Sequence, residues 1–280
     1  MSHRALTLLT ALAALMVAPA AQAKADRALE AAIAGPVRSA ENTARDGARH
    51  PLETLSFWGV KPRQTIIEIS PGSGYWTEIL APYAKATKGA YIASAADLDN
   101  PKLSEAARKG RAAFEARYAD ETRFGKVGFV NFGPASKPLG APGSADMVIT
   151  ARNIHNWMWQ PGVLDKSLAD FYAVLKPGGV LAVEEHRADP RPQTGDARDG
   201  YVATQIVVDA AIKAGFKLAG SSEANANPKD TKDHPFGVWT LPPSRWTAAG
   251  GRSADPAFDR SKYDAIGESD RMTLRFVKPR

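Results

Sequence analysis

The chain has no cysteine among its 280 residues, which excludes disulfides, thiolate metal sites and a lipid-modified N-terminal cysteine. Long apolar runs are also scarce. The one exception is Ala5 to Val17, which follows Arg4 and precedes Pro19 and the small-x-small tripeptide Ala21-Gln22-Ala23. That order is the signature of a secretory signal over residues 1–23, with the mature chain starting near Lys24. The alternative, an uncleaved anchor, asks a short run to span a bilayer, so no stable membrane anchor is expected after cleavage. Charge of one sign is not concentrated either. The net charge is +6, or +5 once Arg4 is removed, and the basic residues are scattered, which argues for a solvated surface over a nucleic-acid groove.

What is present is ordinary globular material, 44% hydrophobic and 24% charged, enough for one domain over residues 24–280. Lys24 to Gly59 reads as a helical cover. Strand and helix signals then alternate. Strands are expected at Thr65 to Ile69, Ala90 to Ala93, Val127 to Phe132, Asp146 to Ala151, Val180 to Glu184 and Met272 to Val277. The helices between them are Tyr75 to Lys85, Pro101 to Tyr118, Leu164 to Leu175 and Tyr201 to Ala214. Such alternation needs crossover connections, hence an α/β fold with a doubly wound, mainly parallel sheet covered on both faces. Ser221 to Glu268 breaks the rhythm and is read as a long C-terminal loop insertion.

In an open α/β sheet the ligand sits beyond the carboxyl ends of the strands, where Glu68-Ile69-Ser70-Pro71-Gly72-Ser73-Gly74 falls. Gly72 and Gly74 permit positive φ and close approach of a ligand, and Glu68 is placed to organise the loop or to meet a cationic group. A nicotinamide-binding loop carries a third glycine where Thr77 stands. The missing glycine and the acidic residue ahead of the loop point to S-adenosylmethionine instead.

Here the sequence resembles the class I S-adenosylmethionine-dependent methyltransferase superfamily, and more closely a group of secreted bacterial methyltransferase-like proteins. The closer resemblance is carried by Arg49-His50-Pro51 with Thr54 to Gly59, Glu68 to Tyr83, Arg152-Asn153-Ile154-His155-Asn156-Trp157, Leu175 to Gly179, Glu185-His186-Arg187, Asn225 to Asp230 and Ile266 to Leu274. It implies a seven-stranded, Rossmann-like methyltransferase fold with S-adenosylmethionine as cofactor. It also implies cofactor contacts from Glu68, Ser70, Gly72, Gly74, Asp97, Asn131, Arg152 and Asn153. Two positions depart from the superfamily pattern. Ser70 replaces a usual glycine, and the second strand ends at Ser94 or Ala95 without the usual ribose-holding carboxylate, which makes Asp97 the nearest substitute.

The expected ends of the fourth and fifth strands converge on one cleft with the glycine loop. Methyl transfer from a sulfonium asks the protein to align donor and acceptor and, for oxygen or nitrogen acceptors, to remove a proton. His155 or His186 can be that base with Glu185 orienting an imidazole, while Arg152 or Arg187 can hold an anionic substrate. These are the expected catalytic residues, and the substrate is expected to be a small molecule. His155, Glu185 and His186 are also ligand types for zinc or iron, but their spacing matches no metal motif and no metal is expected. The segment Glu223 to Asp230, with His234, Trp239 and Trp246, is either a set of Asx turns or a lid with an aromatic wall, anchored by Asp270-Arg271. Two other functions remain open at this level. One is an exported, non-catalytic ligand carrier, suggested by the distance from the cytoplasmic source of the cofactor. The other is a nicotinamide-dependent oxidoreductase, against which Thr77 argues. The oligomeric state is not readable from the sequence.

Overall fold

The structure is a computed structural model and describes residues 26–190, 196–251 and 254–280. The segment expected to be a secretory signal, residues 1–23, lies outside the described residues. Four short helices open the chain: α1 (Arg27–Ile33), α2 (Ala40–Thr43), α3 (Asp46–Arg49) and α4 (Pro51–Trp58). Asp26 caps α1, and Ser39 caps α2. Pro51 starts α4 at a position where its missing N–H costs nothing, and Gly59 ends it at φ +81°.

The alternating core follows as β1 (Thr65–Ile69), α5 (Thr77–Thr87), β2 (Ala90–Ala96), α6 (Glu105–Arg117), α7 (Glu121–Phe124), β3 (Val127–Phe132), β4 (Ala145–Ala151), α8 (Ile154–Trp157), α9 (Val163–Val174), β5 (Leu175–His186) and α10 (Thr204–Lys213). The C-terminal part holds β6 (Lys217–Ser222), β7 (Pro235–Val238), α11 (Ser261–Ile266) and β8 (Arg271–Val277). Seven strands form one open sheet in the order β3-β2-β1-β4-β5-β8-β6, with β7 outside it. Only β8 runs against the others, antiparallel to both β5 and β6. The doubly wound, mainly parallel seven-stranded sheet expected from the sequence is therefore present.

Side-chain alternation decides what each strand offers to which face. Ile67 and Ile69 join Val148, Leu181, Val183, Leu274 and Phe276 in a core beneath α9 and α10. Ile66 joins Met147, Ile149, Tyr91 and Leu80 in a second core beneath α1, α4 and α5. Glu68 shares the parity of Ile66, so its side chain goes to the α5 face.

Several boundaries differ from the sequence reading. The α6 helix begins only after Ser104, whose hydroxyl accepts from the Ala107 amide and supplies the cap that Pro101 lacks. The β2 strand runs on to Ala96, in register with Ala95 opposite Asn131. The β5 strand starts at Leu175, because Lys176-Pro177-Gly178-Gly179 is absorbed as an irregular stretch pairing Leu175 with Ala145. The expected loop after Ser221 begins as the end of β6 and also contains β7 and α11. Among the described residues, no helix is long and apolar enough to cross a membrane.

Candidate functional site

The parallel order puts the carboxyl ends of β1 and β4 side by side, and a cleft opens there, at the switch point of the sheet. Two cavities occupy it. One, of about 210 Å³, lies between the β1 loop, the ends of β4 and β5, and the segment after β7. The other, of about 340 Å³, lies toward β2 and α6. Both are bordered by Ser70, Pro71, Gly72 and Asn153, so the glycine loop is their common wall. Together they reach the size of a small-molecule site.

In the loop, Ser70 adopts φ +48° and Gly72 φ +59°. A side chain at Gly72 would meet nothing within 4 Å, because that position faces the open cleft. Gly74 is different. At φ +86°, an added Cβ would lie 1.9 Å from the Tyr118 hydroxyl, so this glycine admits an aromatic ring, and it borders neither cavity. The expectation that Gly74 approaches the cofactor is corrected accordingly.

Glu68 is buried, as its strand parity requires. Its Oε2 accepts from Thr77 Oγ1 at 3.1 Å, and the Tyr91 hydroxyl bonds the same oxygen while lying 2.8 Å from Thr77 Oγ1. Burial outweighs these partners and lifts the carboxyl to about 7. Glu68 thus ties β1 and β2 to the first residue of α5. Through Oε2 it organises the loop, and Glu68 also borders the first cavity.

On the β2 side, two residues expected at the cofactor border neither cavity. Asp97 accepts from the Asp99 amide at 3.1 Å in an Asx turn and borders neither cavity. Asn131 lies in register with Ala95, accepts from Arg111 Nη1 at 3.4 Å and also borders neither cavity. Ala95, Ala96, Gly110, Arg111 and Phe114 line the second cavity instead. Asp97 nevertheless follows directly on Ala96, the last residue of β2.

The β4 and β5 ends are dense with polar groups. Arg152, held at φ +60°, borders the first cavity, and its amide donates to the Glu184 carbonyl at 2.8 Å. Asn153 Nδ2 donates to the Ile69 carbonyl at 2.8 Å, which stitches the end of β4 to the β1 loop. Glu185 is fully buried and accepts four bonds: Oε1 from His155 Nδ1 at 2.9 Å and from the His186 amide at 2.8 Å, and Oε2 from the amides of Ile154 at 2.6 Å and His155 at 3.3 Å. The imidazole of His155 is thereby fixed with its Nδ1–H on the carboxylate and its Nε2 free to accept. His186 Nδ1 is 2.6 Å from Ser269 Oγ, and burial, then the charges of His155 and Arg152, hold its pKa well below the usual imidazole range. Both histidines border the first cavity.

Ligand atoms of His155, Glu185 and His186 come within 4.8 Å of one another, the one such group among the described residues. The sequence names the three as ligand types, but no spacing motif marks them, because His155 on α8 and Glu185 with His186 at the end of β5 come from separate elements. Glu185 nevertheless has four hydrogen bonds for its four lone-pair sites, which leaves it none to give a metal.

The segment after β6 divides in two. Asn225 bonds Thr54 and Thr273, each at 2.9 Å. Asn227 bonds the carbonyls of Ile266 and Glu268, and Asp230 takes His234 Nε2 at 2.7 Å. These side chains fasten the segment to the start of β8. Asp270 completes the anchor through Lys232 at 3.1 Å and Arg187 at 2.8 Å. Arg187 also pairs with Glu223, so it is spent on the anchor and does not serve as the anion-holding residue. Beyond β7 the chain returns over the cleft. Val238, Trp239, Pro242, Pro243 and Ser244 wall the first cavity, with Trp239 stacked on Trp246 at 5.2 Å and 5.8 Å from the His155 ring. The aromatic-wall reading holds for this half. Tyr75, Trp76, Glu268 and Ser269 also border the cavity and were not singled out in the sequence. Only their membership in the distinctive strings signalled them.

Among solved structures, the chain is similar to a protein assigned as a sarcosine dimethylglycine methyltransferase from Galdieria sulphuraria, at 12% identity and TM-score 0.50, over 85% of this chain and 87% of that one. It is also similar to an arsenic(III) S-adenosylmethionine methyltransferase from Chlamydomonas reinhardtii (16% identity, TM-score 0.48, 90% and 73% covered) and to an S-adenosylmethionine-dependent methyltransferase from Mesorhizobium loti (14%, 0.48, 83% and 99%). At these identities the likeness is one of fold, and the first of the three carries it. No protein-family model and no curated protein sequence matches the chain.

Proposed function

We propose that the chain is an S-adenosylmethionine-dependent methyltransferase acting on a small-molecule acceptor, with His155 as general base and Glu185 as its positioning residue. The observation that carries this reading is the meeting of two cavities at the Gly72 loop, one walled by small side chains, Phe114 and Arg111, the other by an oriented imidazole. The residues present fit the cofactor. Open space at Gly72 and the short side chains of Ala95, Ala96 and Gly110 leave room for a nucleoside beside the Phe114 ring. When bound, the cofactor supplies an electrophilic methyl group on a sulfonium sulfur. The protein then holds the acceptor in the first cavity against Trp239, in line with that methyl group, and excludes water with the segment after β7. His155 Nε2 would accept the proton that the acceptor oxygen or nitrogen gives up as it takes the methyl group, whose bond to sulfur breaks with the electron pair left on the neutral thioether. The resulting imidazolium is stabilised by Glu185 2.9 Å away. His186, kept neutral, shapes the wall beside it and adds no charge.

The reading is tested by incubating the protein with S-adenosylmethionine carrying an isotope-labelled methyl group and a small-molecule extract. Label should move into the extract with the wild-type protein and stay in the cofactor with His155→Ala. Equal transfer by both would remove His155 from the chemistry, and no transfer by the wild type from extracts of diverse origin would count against the activity.

We also propose that the protein works outside the cytoplasm, in the periplasm or beyond, on the strength of the sequence pattern in residues 1–23. Mass spectrometry of the extracytoplasmic fraction should find a chain beginning at Lys24. Full-length protein confined to the cytosol would overturn this placement.

A further inference from the structure

Where the N-terminal helices meet the start of β8, Arg45, Arg49, Arg152 and Arg271 gather around Glu184 and Glu268. Glu268 accepts from Arg45 Nε at 2.7 Å, Arg49 Nε at 3.0 Å and Arg271 Nη1 at 2.5 Å, and Arg271 Nε faces Glu184 Oε1 at 2.9 Å. Four guanidinium groups thus crowd around two buried carboxylates. The unused capacity is specific. Arg49 is fully buried and neither Nη1 nor Nη2 has a partner. Arg152 has a buried Nε without a partner, and its guanidinium makes no ion pair among the described residues.

A buried cation short of hydrogen-bond partners is costly, and burial together with the charge of Arg152 pulls the Arg49 guanidinium down to about 9. The backbone is strained at the same point, with Arg152 at φ +60° in the left-handed region that a long side chain rarely takes. Arg152 borders the first cavity, and Arg49 lies 4.5 Å over the ring of Tyr75, another residue of that wall. Glu268 also borders the cavity, but three guanidiniums saturate it and its carboxyl is held far below the usual range.

We propose that Arg152, backed by Arg49, is an oxyanion seat that receives a carboxylate carried by the molecule filling the first cavity. This rests on that cavity being the ligand site of the proposed methyltransferase. Two sources share the chemistry: the amino-acid end of the cofactor, or a carboxylate on the acceptor. A guanidinium fork is matched to either.

Calorimetric titration with acetate against chloride at equal ionic strength tests the seat without any nucleoside. Acetate should bind the wild type, and Arg152→Met should weaken it about tenfold or more, the loss expected for one charge-assisted contact. Arg49→Met should weaken it several-fold. If Arg152→Met does not fold, as judged by circular dichroism, Arg152→Lys keeps the charge, loses the fork and should still bind acetate measurably more weakly. S-adenosylhomocysteine and 5′-methylthioadenosine, which lacks the amino-acid end, then separate the sources. If the seat takes the cofactor's carboxylate, Arg152→Met weakens the first about tenfold and leaves the second unchanged. If it takes the acceptor's, both nucleosides bind as before and only the acetate response is lost. Either result supports the seat. Acetate binding no better than chloride, or binding indifferent to both arginines, overturns it. Failure of the nucleosides alone would break the methyltransferase reading while leaving the acetate result to stand by itself.

Discussion

At the end of β2 the chain runs Ser94, Ala95, Ala96 and then an Asp97 turned into its own loop, whereas at the ends of β4 and β5 it presents Arg152, Asn153, His155, Glu185 and His186 within one cleft. The first side is made of space, with small side chains and a glycine facing a void. The second is made of chemistry, with a carboxylate that satisfies two histidine residues and a helix start at once. Two of the buried glutamates, Glu68 and Glu185, show the same contrast. Glu68 has hydroxyl partners and is pushed toward its neutral form, while Glu185 faces backbone amides and an imidazole. Changes on the β2 side should therefore alter binding and stability, and changes on the β4–β5 side should alter turnover.

The strongest attempt to break that division is His155→Ala. Turnover should fall by roughly two to four powers of ten, while the affinity for S-adenosylhomocysteine stays within about twofold. Equal losses in both would mean that His155 shapes the pocket and moves no proton.

Glu68 sets the next largest effect. Its folded-state pKa of about 7 lies above its unfolded value of 4.5, so the fold binds the extra proton. The contribution is fully present below pH 4.5 and is lost as pH rises through 7, on the order of 3 kcal/mol in all. Denaturant titrations of Glu68→Gln should show a flatter pH dependence over that window than the wild type. Parallel profiles would show that the carboxyl titrates normally.

Gly74→Ala should cost about 1–3 kcal/mol, because the new methyl meets Tyr118 at a positive φ. Tyr118→Phe should recover part of that loss in thermal unfolding, since the hydroxyl is the nearest obstacle. Smaller still is Ser70→Gly. Removing a side chain from φ +48° should stabilise the fold by less than about 1 kcal/mol, and a clear loss of stability would show that the Ser70 hydroxyl does unseen work.

Much of this arrangement was legible in the sequence where local pattern determines it. The β-branched run Thr65 to Ile69 followed by Pro71-Gly72-Ser73-Gly74 predicts a strand, a turn and a helix, and the turn sits at the switch point because the strands alternate with crossover helices. The polar endings of β4 and β5 were readable for the same reason. What was hidden depends on contacts far apart in the chain. Arg49 reaches Glu268 across 219 positions, and nothing local announces that partnership. The parity of Glu68 was available from Ile66 and Ile67, but its partners Tyr91 and Thr77 come from other elements, so its structural role was concealed. Asp97 misled for a complementary reason. Proximity in sequence to the end of β2 suggested reach, while Oδ1 accepts within its own Asx turn and the residue borders neither cavity.

The central claim is that the space at Gly72 and the chemistry at His155 belong to one ligand site. Calorimetric titration of S-adenosylhomocysteine into the wild type and into Gly72→Val tests it most directly, because the valine side chain would project into the shared wall of both cavities. The account predicts saturable binding by the wild type and at least about a tenfold loss in a Gly72→Val protein that remains folded. No heat at millimolar ligand, or equal binding by both proteins, would contradict it.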